Sequence, residues 1–221
     1  MLDQRQHAVQ IVAGAVMLDA DLCVPPGARG LVLFAHGSGS SRYSPRNRHV
    51  ARQLQQVGFG TLLLDLLTMD EESVDQRTAP LRFDIPLLAS RVVGATEWLN
   101  RNEETQGLRV GYFGASTGAA AALVAAAERP AVAAIVSRGG RPDLADDALA
   151  RVRCPTLLIV GSLDVPVIAM NHEAMEQMVV ARSKKMVLVE GASHLFEEPG
   201  TLDQVAQLAC AWFDAYLAES G

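Results

Sequence analysis

A serine, an aspartate and a histidine each follow an apolar run of the chain, and together they could carry out nucleophilic catalysis. Ser116 lies between two glycines in the stretch GASTG, Asp164 ends the stretch GSLD, and His194 lies in GASHLF. A serine hydroxyl attacks a carbonyl when a base removes its proton, and an imidazole serves as that base when a carboxylate orients it. These residue types in this chain order predict a triad of Ser116, Asp164 and His194.

The glycines around Ser116 indicate how the chain would present its hydroxyl. Residues 109–114 read as a buried strand and the alanine-rich run from Thr117 reads as a buried helix, so Ser116 falls on a sharp strand-to-helix turn. Glycine allows other backbone to pass closely, and the free N–H groups at a helix start stabilise negative charge on a substrate oxygen. This pattern is typical of a nucleophile elbow.

An oxyanion hole needs two backbone N–H donors, and the sequence offers a candidate for each. The first is the N–H of Thr117, directly after the proposed nucleophile. The second lies in the glycine-rich turn HGSGS at 36–40, where we assign Ser38 and keep Gly37 as the alternative. His36 in this turn is interpreted as a packing and hydrogen-bonding residue rather than the catalytic base.

Other carboxylates and histidines compete for the triad roles. Asp65 follows the run GTLLL and Asp143 follows VAAIVSR, and either could be an ordinary strand-end or helix-capping carboxylate. The chain order favours Asp164 and leaves both alternatives to be tested. The remaining histidines lie in terminal or helical settings that are typical of a solvated surface, and these are His7, His49 and His172.

The elements that must position these residues alternate between short apolar runs and longer helical patterns. Strand-like runs cover 7–18, 20–25, 31–37, 60–67, 109–114, 132–138, 155–161 and 185–191, and helical patterns cover 46–57, 84–101, 117–128, 168–181 and 200–218. This alternation predicts an α/β fold, with a mostly parallel central sheet of about seven or eight strands and helices on both faces. The first two runs predict an antiparallel hairpin at one edge, and residues 1–221 are predicted to form one domain.

Two segments decide how open the predicted site is. Only sixteen residues, 139–154, separate the run ending at Arg138 from the run starting at Pro155, which leaves no room for a cap domain. Residues 66–83 read as the longest loop, and they leave the carboxyl end of a strand near the site. We therefore expect an open, shallow site that suits small ester substrates.

Composition argues against several other classes of protein. The chain has 221 residues, of which 49% are hydrophobic and 20% charged, as in a globular domain, and its net charge of −6 argues against nucleic acid as a partner. Three cysteines without disulfide or zinc spacing indicate reduced thiols, and we find no signal segment or membrane-length apolar run. We expect a cytoplasmic protein with no membrane partner, no metal and no cofactor.

The motifs HGSGSS, GASTG, GSLD and GASHLF, in this order over nearly the whole chain, resemble the α/β-hydrolase superfamily and its dienelactone-hydrolase-like family. The resemblance implies a hydrolase of small carboxylic esters, lactones or thioesters. The namesake enzymes use a cysteine nucleophile, whereas this chain has Ser116, which points toward a serine esterase. The stretch SSRYSPRNRHVARQL is also similar to bacterial proteins of this family, some of which are fused to phosphoribosyltransferase domains.

The resemblance also implies arginines that bind a substrate carboxylate, a task that suits the bidentate guanidinium. We assign Arg42, Arg82 and Arg138 to this role; the alternative is that they pair with nearby acidic residues or lie in solvent. The expected partners are a small ester substrate and a second copy of the chain in a homodimer. Two other functions stay open: a peptidase or amidase of the prolyl-oligopeptidase branch, and a non-catalytic ligand-binding protein on the same fold.

Overall fold

A single eight-stranded sheet runs through residues 6–217, which are the residues that the computed structural model describes. In the sheet the strand order is β1-β2-β4-β3-β5-β6-β7-β8; β2 pairs antiparallel with β1 and β4, and the remaining pairs are parallel. The predicted α/β fold and its antiparallel edge are confirmed. The strands are β1 (His7–Ala13), β2 (Val16–Cys23), β3 (Leu31–Ala35), β4 (Gly60–Leu64), β5 (Val110–Ala115), β6 (Ile135–Arg138), β7 (Thr156–Gly161) and β8 (Lys184–Val189).

Helices cover both faces of this sheet and bury an apolar core on each side. On β3, Leu31 and Leu33 face one core while Val32 and Phe34 face the other, as the alternation of side chains along a strand requires. Helices α3 and α4 pack on the first face, and α1 and α6 pack on the second. The helices are α1 (Pro45–Gln56), α2 (Met69–Thr78), α3 (Ile85–Arg101), α4 (Thr117–Glu128), α5 (Val165–Gln177) and α6 (Thr201–Leu217).

Residues 66–83 differ from the prediction, because they contain helix α2 and a short 3₁₀ turn instead of a long loop. A capping box starts the helix: the Thr68 hydroxyl accepts a hydrogen bond from the Glu71 N–H, and the Glu71 carboxylate accepts one from the Thr68 N–H. Asp75, the one buried residue of α2, pairs with the guanidinium of Arg82. Polar contacts therefore order this segment.

The first hairpin also turns earlier than predicted. The run 7–18 reads as one strand, but β1 ends at Ala13, which is opposite Val16 of β2. Gly14 follows with a φ of +66°, in the left-handed region that glycine adopts without strain. The turn therefore falls at the glycine, inside the run that was predicted to be continuous.

The segment between β6 and β7 is too short to cover the site, as predicted. It carries the 3₁₀ segment Pro142–Arg151, which packs against α4. The described residues contain no cap domain above the carboxyl ends of the parallel strands. None of the helices within residues 6–217 combines the length and the apolar character that crossing a membrane requires.

Candidate active site

The three residues of the predicted triad lie beyond the carboxyl ends of β5, β7 and β8. Ser116 directly follows β5, Asp164 follows β7, and His194 lies in the loop after β8. Because these strands are parallel and close in the sheet, their following loops meet at one edge. His194 Nδ1 lies 2.6 Å from Asp164 Oδ2, and His194 and Ser116 line one cavity of about 240 Å³.

The turn that carries Ser116 is strained and tightly packed. Ser116 has a φ of +51° and a ψ of −122°, an arrangement that costs a non-glycine residue roughly 1–3 kcal/mol and persists only where the surroundings impose it. A Cβ on Gly114 would lie 2.4 Å from the Ala119 Cα, and a Cβ on Gly118 would lie 2.3 Å from the carbonyl oxygen of Ala35. Both flanking glycines are therefore required by close packing.

The glycine-rich turn after β3 lies directly against this elbow. A Cβ on Gly37 would lie 3.0 Å from the Ser116 Cβ, and Ser38 lines the same cavity as Ser116. Thr117 is buried at the first position of α4. The structure thus places both predicted oxyanion residues close to Ser116, and Ser38 and Thr117 also line a common small pocket.

The competing acids each contact an arginine and not His194. Asp65 accepts a hydrogen bond from the Arg42 backbone N–H at 2.6 Å and pairs with the Arg42 side chain. Asp143 pairs with Arg141 at 2.7 Å. Of the three candidate carboxylates, Asp164 alone is the one that contacts the His194 imidazole.

Two of the competing histidines form exposed pairs away from the cavity. His7 lies 3.4 Å from Glu104, and His49 lies 2.7 Å from Asp203. His172 lies on the exposed side of α5. These positions match the surface role expected for them from the sequence.

The structure separates the three arginines that were predicted to bind substrate. Arg138 lines the cavity with Ser116, whereas the Arg42 side chain pairs with Asp65, and Arg82 pairs with Asp75. The Asp65 and Asp75 carboxylates already neutralise these two guanidinium groups. Arg42 and Arg82 thus make the acidic pairings that were the alternative to substrate binding, and the substrate-binding role of the three arginines stays a prediction.

Arg138 is a buried cation without a counter-ion among the described residues. Its side chain is 6% exposed, its Nη2 donates to the Asn47 Oδ1 at 3.4 Å, and its Nε has no hydrogen-bond partner. Burial, followed by the nearby positive charge of Arg46, lowers the pKa of Arg138 to about 10. Within residues 6–217, no carboxylate forms a salt bridge with Arg138. A cation so placed favours an anion in the cavity.

The first turn of α1 supplies cavity residues that the sequence reasoning did not assign. Ser44 caps this helix by accepting a hydrogen bond from the Asn47 N–H at 3.3 Å, and Pro45 occupies its first position. Ser44, Arg46 and Asn47 all line the cavity. The dipeptide Ser44-Pro45 is a helix-start signal. Because it follows closely after the turn that carries Ser38, the sequence could have indicated that the start of this helix lies near the site.

The loop that carries His194 has its own anchor. Glu198 Oε2 accepts a hydrogen bond from the Ser193 N–H at 3.0 Å, and hydrogen bonds from Ser193 lower the pKa of the Glu198 carboxyl. On the other side of the loop, a Cβ on Gly139 would lie 3.0 Å from the His194 carbonyl oxygen. The loop that carries His194 is thus anchored by a hydrogen bond and packed closely against the Gly139 backbone.

The strand order and the arrangement of side chains at the carboxyl edge define an α/β-hydrolase. The chain matches the dienelactone hydrolase family over residues 18–217 and belongs to that family. It is 64% identical to a dienelactone hydrolase from Anabaena variabilis ATCC 29413, whose crystal structure superposes with a TM-score of 0.94. That likeness covers 97% of this chain and 99% of the other.

Two other proteins resemble this chain, one in fold and one in sequence. An esterase of Pyrococcus furiosus is 17% identical, with a TM-score of 0.78 over 97% of this chain and 94% of the other, a likeness that shows the shared fold. A protein of Mycobacterium tuberculosis, provisionally named a phosphoribosyl transferase, is 56% identical over 218 residues. The match covers 98% of this chain and 48% of that protein, so the chain spans about half the length of the curated relatives it matches most extensively.

Proposed function

We propose that this chain is a serine hydrolase that cleaves a small carboxylic ester, lactone or thioester through an acyl-enzyme at Ser116. The observation that carries the proposal is the 2.6 Å contact between His194 Nδ1 and Asp164 Oδ2 beside a cavity that Ser116 lines from a strained turn. Membership in a hydrolase family supports the same reaction class.

The geometry supports a two-step acyl transfer. Asp164 accepts the Nδ1–H of His194, which leaves Nε2 as the atom that takes the Ser116 proton as Oγ attacks the substrate carbonyl. The N–H groups of Thr117 and Ser38 stabilise the oxyanion. His194 then protonates the leaving group as its bond to the acyl carbon breaks. Water, activated by the same imidazole, releases the acid and restores Ser116.

A fluorophosphonate probe tests this proposal directly. We expect covalent labelling of the chain on the peptide that contains Ser116, and no labelling of a Ser116→Ala variant. A panel of p-nitrophenyl esters, lactones, thioesters and anilides then identifies the preferred bond. Anilide turnover that exceeds ester turnover would favour an amidase, and the absence of both labelling and turnover would favour a ligand-binding protein.

We propose further that Arg138, together with Arg46, binds an anionic group of the substrate. Arg46 lines the same cavity, and its Nη1 contacts the exposed Glu197 at 3.2 Å while its Nε has no partner. Two guanidinium groups that face one cavity repel each other, and a substrate carboxylate would relieve that repulsion and provide the missing acceptors.

Arg138→Gln should weaken turnover of anionic esters selectively. We expect the KM for mono-p-nitrophenyl succinate to rise by roughly ten- to a hundredfold, because a hydrogen bond to a charged group contributes about 1.5–3 kcal/mol. Turnover of p-nitrophenyl butyrate, a neutral ester of similar size, should change little. Steady-state kinetics on the two esters provides the measurement.

The matched control for Arg138→Gln is Arg151→Gln, which removes one exposed positive charge far from the cavity. It should leave both esters unaffected. Because Arg138 is a buried cation without a counter-ion in the described chain, Arg138→Gln should also preserve or raise the free energy of unfolding. Equal losses on both esters would contradict an anion-binding role.

We also propose that the protein works in the cytoplasm. Its three cysteines, Cys23, Cys154 and Cys210, are free, and burial raises the pKa of Cys154 to about 12. Free thiols are typical of proteins in a reducing compartment.

A further inference from the structure

His36, the residue before the glycine-rich turn, makes two hydrogen bonds that together determine its protonation. Its Nε2 lies 3.0 Å from the Leu66 N–H, a group that can only donate, so Nε2 must be an unprotonated acceptor. Its Nδ1 lies 2.9 Å from the Gly37 carbonyl oxygen, which can only accept, so Nδ1 must carry a proton. The ring is therefore neutral, with its proton on Nδ1.

The surroundings of His36 favour that neutral form. The residue is buried, and burial lowers the pKa of the imidazole. The carboxylates of Asp65 and Glu72 act in the opposite direction, as does the hydrogen bond to Gly37. Both ring nitrogens are engaged with backbone, so the ring joins the loops that follow β3 and β4, which are parallel neighbours in the sheet.

The bond to the Gly37 carbonyl controls more than that one oxygen. The Gly37 C=O and the Ser38 N–H belong to the same planar peptide unit, in which the two bonds point in opposite directions. A donor that holds the carbonyl oxygen on one side therefore holds the Ser38 N–H on the other. The Ser40 N–H also donates to this oxygen, at 3.2 Å, so two donors hold the peptide.

We propose that His36 is a positioning residue that orients the Ser38 N–H toward the oxyanion, through the hydrogen bond from its Nδ1–H to the Gly37 carbonyl. This inference rests on the proposed serine hydrolase function. The bond to the Leu66 N–H fixes the ring, and the bond to Gly37 transmits that fixed orientation to the peptide. The Gly37 backbone lies against the Ser116 side chain. A rotation of the Gly37–Ser38 peptide would therefore move the Ser38 N–H away from the substrate carbonyl that Ser116 attacks.

Two substitutions separate the hydrogen bonds of His36. In His36→Asn, the amide NH₂ takes the place of Nδ1–H and can donate to Gly37, while the acceptor for Leu66 is lost. In His36→Gln, the amide oxygen takes the place of Nε2 and can accept from Leu66, while the donor to Gly37 is lost. Each variant thus removes one buried hydrogen bond and keeps the other.

We expect His36→Gln to lower kcat about ten- to a hundredfold with KM nearly unchanged, since deleting an oxyanion donor outright costs about a hundred- to a thousandfold. His36→Asn should keep kcat within a fewfold of the wild type. The two variants should show similar falls in Tm. Equal losses of kcat, or a larger loss in His36→Asn, would overturn the proposal, because activity would then follow folding or the Leu66 contact.

A spectroscopic measurement tests the geometry independently of turnover. The chain has five histidines, and ¹⁵N-histidine labelling allows the His36 ring to be assigned as the resonance pair that is lost in His36→Gln. We expect a neutral ring protonated on Nδ1, and a ring protonated on Nε2 would overturn the proposal. A wild-type chain that shows this ring state but neither esterase turnover nor probe labelling would refute the hydrolase function and leave the hydrogen-bond geometry intact.

Discussion

Replacing Ser116 with alanine should lower kcat/KM for ester substrates about a millionfold, to the level of the residual catalysis that binding and the oxyanion donors provide. The fold should persist, because the packing of Gly114 and Gly118 against neighbouring backbone imposes the turn and the hydroxyl is not needed for it. Ester kinetics together with thermal unfolding of the same preparation would measure both outcomes.

Ser90→Ala provides the matched control for Ser116→Ala. Its hydroxyl donates to the Leu87 carbonyl within α3, away from the cavity, so the variant should retain wild-type turnover. If Ser116→Ala retained a rate within tenfold of the wild type, Ser116 would not be the nucleophile.

Asp164→Asn should lower kcat by about ten-thousandfold while leaving the cavity in place. The asparagine amide would donate to His194 Nδ1 and so place the ring proton on Nε2, where it blocks removal of the Ser116 proton. Steady-state kinetics with a p-nitrophenyl ester would measure the loss.

Asp65→Asn and Asp143→Asn are the matched controls for Asp164→Asn, because they change the two competing carboxylates. Their carboxylates contact Arg42 and Arg141, so these substitutions should affect stability more than kcat. If Asp164→Asn lowered kcat only mildly and either control lowered it severely, the catalytic carboxylate would be the one changed in that control.

The strand ends that carry Ser116, Asp164 and His194 could be predicted because the sequence signals for them are local. A strand end followed by Gly-x-Ser-x-Gly, and later strand ends followed by Asp and His, can be read without knowledge of tertiary contacts. The carboxyl ends of parallel strands then bring these residues together, and the structure places His194 against Asp164 as the chain order predicts.

Helix α2 escaped prediction because it lacks an apolar stripe. Its buried residue is Asp75, which is held by Arg82 from beyond the helix end, and hydrophobic periodicity cannot detect such a contact. The capping box at Thr68 and Glu71 was the available signal. The arginines were harder still, because which carboxylate pairs with Arg42 depends on loops that are distant in the chain.

The elbow around Ser116 has a consequence for how this family can change its chemistry. The close contacts that impose the turn involve Gly114, Gly118 and the end of β3, and none of them involves the hydroxyl oxygen of Ser116. The strained backbone at position 116 is therefore imposed by its surroundings and does not depend on the side-chain atom that the residue carries. We therefore expect Ser116→Cys to keep the turn, so that a single substitution could exchange a hydroxyl for a thiol at this position without a change in the surrounding backbone.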